Sequence, residues 1–458
     1  MVKVIEMEAI YMFKRKVEFE LAEWKKSLSI HKKAFVLKGL RQVGKTFIVK
    51  KFAFENYENV IYINFKEELM MKQCFNADLS VEELIMKISS RKSDAFFVPN
   101  KTVLIFDEIQ ECSAARASIK PFMEDGRFDI IATGSLLGIK GYNAKYNGGV
   151  PVGYEHIVYM KPMDFEEFLW SQNVNEKIIN YIKNCFFKKE KIDDAIHKSI
   201  MEYFRKYICI GGMPAVVKVF LETKDMNMVQ KEKMDIIEGY KDDFAKHLDE
   251  NEQEKINKEL LLRINRVFDS IPSQLSKENK KFMVSKIDKK SSLEKYEEAI
   301  QWLIDYGLIC LCHNVSCPES PLEGNKINNI FKIYMCDTGL LLSLLDEDTI
   351  GDVLLNDMGT YKGVIYENIV ADAFNKNNKK LYYYSKDSGL EIDFVTRYQK
   401  NITLIEVKAK NGNTKSAKTV LSNKERYPEA NFLIRLKDCN IGIQDNILSI
   451  PYYLAFLI

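Results

Sequence analysis
The chain of 458 residues is 46% apolar and 29% charged, which excludes a disordered or low-complexity protein and leaves core enough for about three domains. Its formal net charge of +2 excludes a global basic field for nucleic acid, so any such surface must be a local patch. The nine cysteines form no CxxC pair and no run approaches the ~20 apolar residues that span a bilayer, so reduced thiols and a cytoplasmic protein without a membrane partner are expected.

The opening "MVKVIEMEAIYMFKRK" lacks the long apolar core of a signal peptide. Residues 14–30, "KRKVEFELAEWKKSLSI", mix apolar and charged positions at helical spacing and predict an N-terminal docking helix within residues 1–30. Short continuous apolar runs follow at 34–39, 59–65, 102–107, 128–133 and 156–160, with helical patterns between them. Such alternation predicts an α/β fold with a parallel sheet covered on both faces, here over residues 31–220. Residues 162–270 read as mostly helical and charge-rich. Residues 271–315 read as helix, turn, helix, helix and then the strand "GLICLCHNV". The turn-rich "SCPESPLEGNKINNI", 316–330, reads as a wing or linker, which closes a region over 221–330. Helices around a strand hairpin make 331–458 a small α/β domain.

The stretch "GLRQVGKT" carries Gly39, Gly44, Lys45 and Thr46 in the full GxxxxGK[ST] spacing, after an apolar strand and before a helix. A chance turn would need none of that context. Glycines let the backbone curl so that N–H groups from Gly39, Gln42, Val43, Gly44, Lys45, Thr46 and Phe47 can face phosphate oxygens. The helix N-terminus adds about half a positive charge, Lys45 can reach the terminal phosphates, and Thr46 can ligate Mg²⁺. A second apolar strand ends in Asp107-Glu108, at the sheet edge where ligands sit. Asp107 suits the shell of a metal ion and Glu108 the polarising of an attacking water. A third strand ends in Thr133-Gly134-Ser135, and the hydroxyls of Thr133 and Ser135 could sense a γ-phosphate.

Together these residues resemble the P-loop ATPases of the AAA superfamily. "DEIQECSAARASIKPFMEDGRFDIIATGSLLG", "MKPMDFEEFLW" and "YICIGGMPAVV" resemble one prokaryotic family more narrowly, which joins such an ATPase to a C-terminal domain of unknown function. The resemblance implies an ATP hydrolase in which Lys45 and Thr46 hold ATP–Mg²⁺, Asp107 the metal and Glu108 the water, with a homo-oligomer as one assembly. Tyr154 stands where relatives carry a trans-acting arginine, and Arg116 and Arg127 are its candidate substitutes.

Residues 270–315 resemble a winged-helix module, and Lys277, Lys280, Lys281, Lys286, Lys289 and Lys290 cluster there as candidate DNA contacts, or as a solvated lysine face. Further on, two β-prone runs, 390–397 and 402–409, flank "YQKN" and predict a hairpin. Centring the turn between Gln399 and Lys400 sets Asp393 opposite Glu406 and Glu391 opposite Lys408, about 5 Å apart. Acid followed by acid-x-lysine resembles the PD-(D/E)xK nuclease core, although Ile392 replaces its proline. The resemblance implies that Asp393 and Glu406 hold Mg²⁺, Lys408 orients a water and Glu367 adds a helical acid. A Glu391–Lys408 salt bridge on a solvated face is the structural alternative. Three functional readings stand on this sequence: an ATPase acting on DNA, a nucleotide-regulated scaffold for a protein partner, and an ATP-licensed metal-dependent nuclease.

Overall fold
The computed structural model describes residues 13–76, 78–135, 151–249, 254–277, 280–346, 348–357, 359, 361–408 and 415–458. It divides the chain into two compact units, Lys14–Lys161 with Asp305–Gly307, and Pro162–Ile304 with Leu308–Ile458. The expected segment 1–30 and core 31–220 do not coincide with these two units. The docking helix belongs with the first unit and residues 162–220 with the second.

The first unit is built on five all-parallel strands: β1 (Ala34–Gly39), β2 (Asn59–Asn64), β3 (Thr102–Asp107), β4 (Asp129–Gly134) and β5 (Glu155–Met160), in the order β2-β3-β4-β1-β5. Every residue of β3 is buried, the signature of a strand covered on both faces. Phe65, Phe75 and Phe106 meet edge to face at 5.4–5.7 Å and fix the end of β3, where Asp107 emerges. Helix α1 (Val17–Ser27) docks by Val17, Leu21 and Trp24, one stripe at helical spacing, with acids in its first turn and lysines in its last. Helix α2 (Lys45–Asn56) follows β1 directly.

The second unit contains an eight-stranded mixed sheet: β6 (Ile309–Val315), β7 (Lys326–Met335), β8 (Leu381–Ser385), β9 (Glu391–Tyr398), β10 (Asn401–Lys408), β11 (Ala430–Lys437), β12 (Gly442–Gln444) and β13 (Ile447–Pro451). Their order is β12-β13-β11-β10-β9-β8-β6-β7. The expected boundary at 330 falls inside β7, because β6 pairs with both β7 and β8 and draws the preceding hairpin into the C-terminal sheet. Between Leu275 and Glu297 the expected helices are 3₁₀ turns at Val284–Lys286 and Glu294–Tyr296. "SKIDKKSS" offers no apolar period to hold a longer helix, and Phe282 instead stacks on Phe331 of β7 at 5.8 Å. The "IGGMP" stretch packs its backbone against "CDTG": Gly212 N–H donates to Asp337 at 2.7 Å, and a Cβ on Gly212 would lie 2.1 Å from the Met163 carbonyl oxygen.

The β9–β10 hairpin has the expected register, with Ile405 opposite Phe394 and Asn401 opposite Tyr398. Gln399 and Lys400 form its two-residue turn at φ 47° and 68°, the left-handed pair of a type I′ turn, whose twist matches that of the strands.

Candidate functional site
Three strand ends and one helix start converge in the first unit. Gly39 leaves β1 at φ 148°, where a Cβ would fall 2.0 Å from the Met160 carbonyl oxygen, so no larger residue fits. Gln42 and Gly44 then take left-handed angles of 65° and 92° and curl the loop onto α2. Val43 is buried within the curl and Phe47 is half-buried in the first turn of the helix. Lys45 is 7% exposed, and its ammonium donates to the Gly39 and Leu40 carbonyls at 2.9 Å each. Burial pushes this lysine down to about 8, although Glu108 and Asp107 pull the other way.

The Thr46 hydroxyl lies on the Asp107 carboxylate, 3.0 and 2.9 Å from its two oxygens. Asp107, itself buried, also accepts from Tyr62 at 2.7 Å and from Thr133 in a shorter bond. Three hydroxyls thus solvate one charge without neutralising it. Glu108 follows at φ 51°, a strained angle for a residue with a Cβ, and its Oε2 accepts from Gln110 Nε2 and, at 3.5 Å, from Ser135. Ser135, expected at a γ-phosphate, therefore bonds the neighbouring carboxylate, and Arg41 Nε donates to the Ser135 hydroxyl at 3.5 Å.

The candidate arginines are otherwise engaged. Arg116 makes a bidentate ion pair with Glu155 at 2.9 Å, largely buried rather than on the surface. Arg127 pairs with Asp125 and Glu82, and Tyr154 donates to Glu124 at 2.6 Å. Arg15 gave no signal in the sequence, yet it reaches across from the start of the unit to the Val43 carbonyl at 2.9 Å and the Lys161 carbonyl at 2.6 Å. Tyr62 was likewise silent, since a tyrosine in an apolar strand carries no motif, and Gln110 lay within the quoted "DEIQ" stretch with no role assigned to it.

These oxygens suit a hard divalent cation: a hydroxyl from Thr46 and a carboxylate from Asp107 within one hydrogen bond of each other, beside N–H groups and an ammonium for phosphate.

Residues 31–169 match the family described as an AAA domain. Over these residues the chain is similar to that family. Residues 201–350 and 362–454 match two domains of unknown function, DUF8612 and DUF4143. Among solved structures, the ORC2 protein of Aeropyrum pernix in its ADPNP–ADP complexes is 11% identical with a TM-score of 0.40, covering 77% of this chain and 96% of that one. The STAND protein (signal transduction ATPase with numerous domains) of Pyrococcus horikoshii with a tetratricopeptide-repeat sensor is 14% identical with a TM-score of 0.26, covering 80% of this chain and 46% of that one. No curated protein matches the chain.

In the second unit the acids of the hairpin do gather, but with more lysine than expected. Asp393 accepts the Val407 N–H at 2.8 Å, and Lys408 pairs with Glu406 and lies 4.0 Å from Asp393. Burial pushes Asp393 and Glu406 above the usual carboxylate range, helped by Glu367 beside the first and by Asp393 beside the second. Glu367, from the helix Lys362–Lys376, accepts from Lys280, from Lys332 at 3.1 Å and from Tyr334. Burial alone would raise Glu367, but Lys280 and Lys332 hold it well below the usual range. Lys332 also reaches Glu391 at 2.7 Å, so that acid's cation comes from β7 and not from Lys408 across the hairpin. Lys280, expected in a phosphate patch, is spent on Glu367, while Lys286, Lys289 and Lys290 are exposed. Among the described residues no group of three or more His, Cys, Asp or Glu is arranged to hold a metal ion. Both Glu367 oxygens carry lysine, so this acid does not fit a metal; Asp393 and Glu406 share Lys408, and the charges of Lys332 and Lys280 also act on Asp393.

No helix among the described residues is long and apolar enough to cross a membrane.

Proposed function
We propose that this chain binds ATP with Mg²⁺ and hydrolyses it at the mouth of β1, β3 and β4. The observation that carries the reading is the apposition of Thr46 and Asp107 beside the strained Glu108, over a lysine buried at the start of α2. Loop N–H groups and Lys45 would take the phosphates. Thr46 and Asp107 would hold the metal, which supplies charge neutralisation on the phosphate oxygens when bound. Glu108 would draw a proton from the attacking water, its carboxylate steadied through Oε2.

Two substitutions test it. Lys45→Ala removes the ammonium and is expected to abolish nucleotide binding or turnover. Glu108→Gln keeps the shape but cannot accept the proton, so ATP still binds while hydrolysis falls by about 10²–10⁴-fold. Tight ATP binding by the Lys45→Ala protein contradicts the assignment.

DNA as activator or substrate of the second unit is the finer part of the proposal. It is supported by the exposed Lys286, Lys289 and Lys290, and by Asp393, Glu406 and Lys408 drawn together as a nuclease-like trio. An ATPase rate that rises with added DNA favours it, and an unchanged rate favours the protein scaffold. Metal-dependent cleavage lost in Asp393→Ala, Glu406→Ala and Lys408→Ala, with folding intact, would select the nuclease.

A further inference from the structure
Gln110 belongs to the 3₁₀ turn Ile109–Glu111, immediately beyond the residue proposed as general base, and only 7% of it is exposed. Its Nε2 donates to Glu108 Oε2. The orientation of the amide follows from chemistry, since the opposite flip would set a carbonyl oxygen against a carboxylate oxygen. The other end of the amide, Oε1, is buried and takes no hydrogen bond among the described residues. A buried amide that satisfies only one of its two ends is a poor structural element; an apolar side chain of similar size would pack there without that penalty.

Glu108 needs such a neighbour. Its backbone sits at φ 51°, and its half-buried carboxylate follows the end of β3 on a terminal torsion that is intrinsically broad. Gln110 and Ser135 both donate to Oε2, and Arg41 in turn donates to Ser135. Anchoring one oxygen turns the other, Oε1, into a fixed acceptor.

We infer that Gln110 is a positioning residue for ATP hydrolysis: its amide grips Oε2 of Glu108 and thereby presents Oε1 to the attacking water. The inference rests on the ATPase reading. The reaction is the hydrolysis already described, with the water proton passing to Glu108 Oε1 as the oxygen attacks the terminal phosphorus and the β-phosphate leaves with its bonding pair.

The test compares the full-length protein with Gln110→Leu and Gln110→Glu, reading ATP affinity, kcat, KM and melting temperature. Gln110→Leu is expected to melt no lower than the wild type and to keep its ATP affinity within about twofold, while kcat falls by about ten- to a hundredfold. Gln110→Glu sets a second carboxyl beside the first, so the acid limb of its kcat–pH profile should move up by about one unit or more. If Gln110→Leu turns over at the wild-type rate, or loses kcat together with melting temperature and affinity, and Gln110→Glu leaves the acid limb in place, Gln110 merely fills space and the inference is overturned. A wild-type protein that binds ATP but never hydrolyses it overturns the ATPase reading itself, and this inference with it, before any variant is compared.

Discussion

Lys45 stands in the loop with its ammonium on two backbone carbonyls and most of its side chain out of water. Its folded value of about 8 lies below the 10.5 of an unfolded lysine. Between those values the unfolded chain binds more protons than the folded one, so wild-type stability gains as pH rises through that window. Lys45→Met lacks this group. Its stability relative to wild type should therefore decline by about 3 kcal/mol between pH 8 and 10.5, which denaturant melts at stepped pH will measure. Parallel slopes for the two proteins would show that the lysine is ordinary. Tyr62 makes a second prediction at this scale. Removing its hydroxyl in Tyr62→Phe takes one of three donors from Asp107, and stability should fall by about 1 kcal/mol while the Mg²⁺ needed for half-maximal turnover changes. The motif made Gly39, Gly44, Lys45, Thr46, Asp107 and Glu108 legible, because their spacing within short stretches is the signal. Arg15 and Tyr62 were not legible, because each gains its meaning from a partner that only the fold brings close, whereas Gln110 stands two residues from Glu108 and needs the turn between them to reach its carboxylate.

Elements show the same division. The five strands of the first sheet could be read almost to the residue, since a strand buried on both faces is a continuous apolar run closed by turn residues. The hairpin register was also readable, because a two-residue turn leaves only one pairing. That turn uses Gln399 and Lys400 at angles better suited to asparagine and glycine. The double change Gln399→Asn with Lys400→Gly should raise stability by about 1 kcal/mol, measured by urea unfolding. A loss would mean that side chains at the turn matter more than its backbone. Lys332 on β7 was beyond reach of sequence reasoning: it stands on the edge strand of the sheet, yet it lies buried between Glu367 and Glu391 and over the Tyr383 ring at 4.8 Å. Replacing it by methionine removes the cation of Glu391 and one of the two cations of Glu367, and a loss of about 1–3 kcal/mol is expected in the same assay.

At the scale of the molecule, the boundary expected at 330 falls inside β7 for one reason. Turn-rich composition marks the loop from β6 to β7 as a divider, but hydrogen bonds from β6 to β8 join strands made far apart in sequence. A fragment beginning at 331 would lack β6 and half of β7 and leave β8 with a bare edge. It should aggregate, whereas one beginning at Pro162, which keeps the rest of the unit, should stay in solution. Size-exclusion profiles of the two fragments decide the point.

The two sheets also differ in when synthesis completes them. All strands of the first have emerged once Met160 has left the ribosome, so it can close while translation continues. The second waits for Ile447–Pro451, which sits between β11 and β12, and until then the hairpin and its neighbours hold an open flank. A nascent chain halted shortly before this strand would expose the greatest aggregation hazard of its lifetime, and that is the interval in which chaperone attachment should peak.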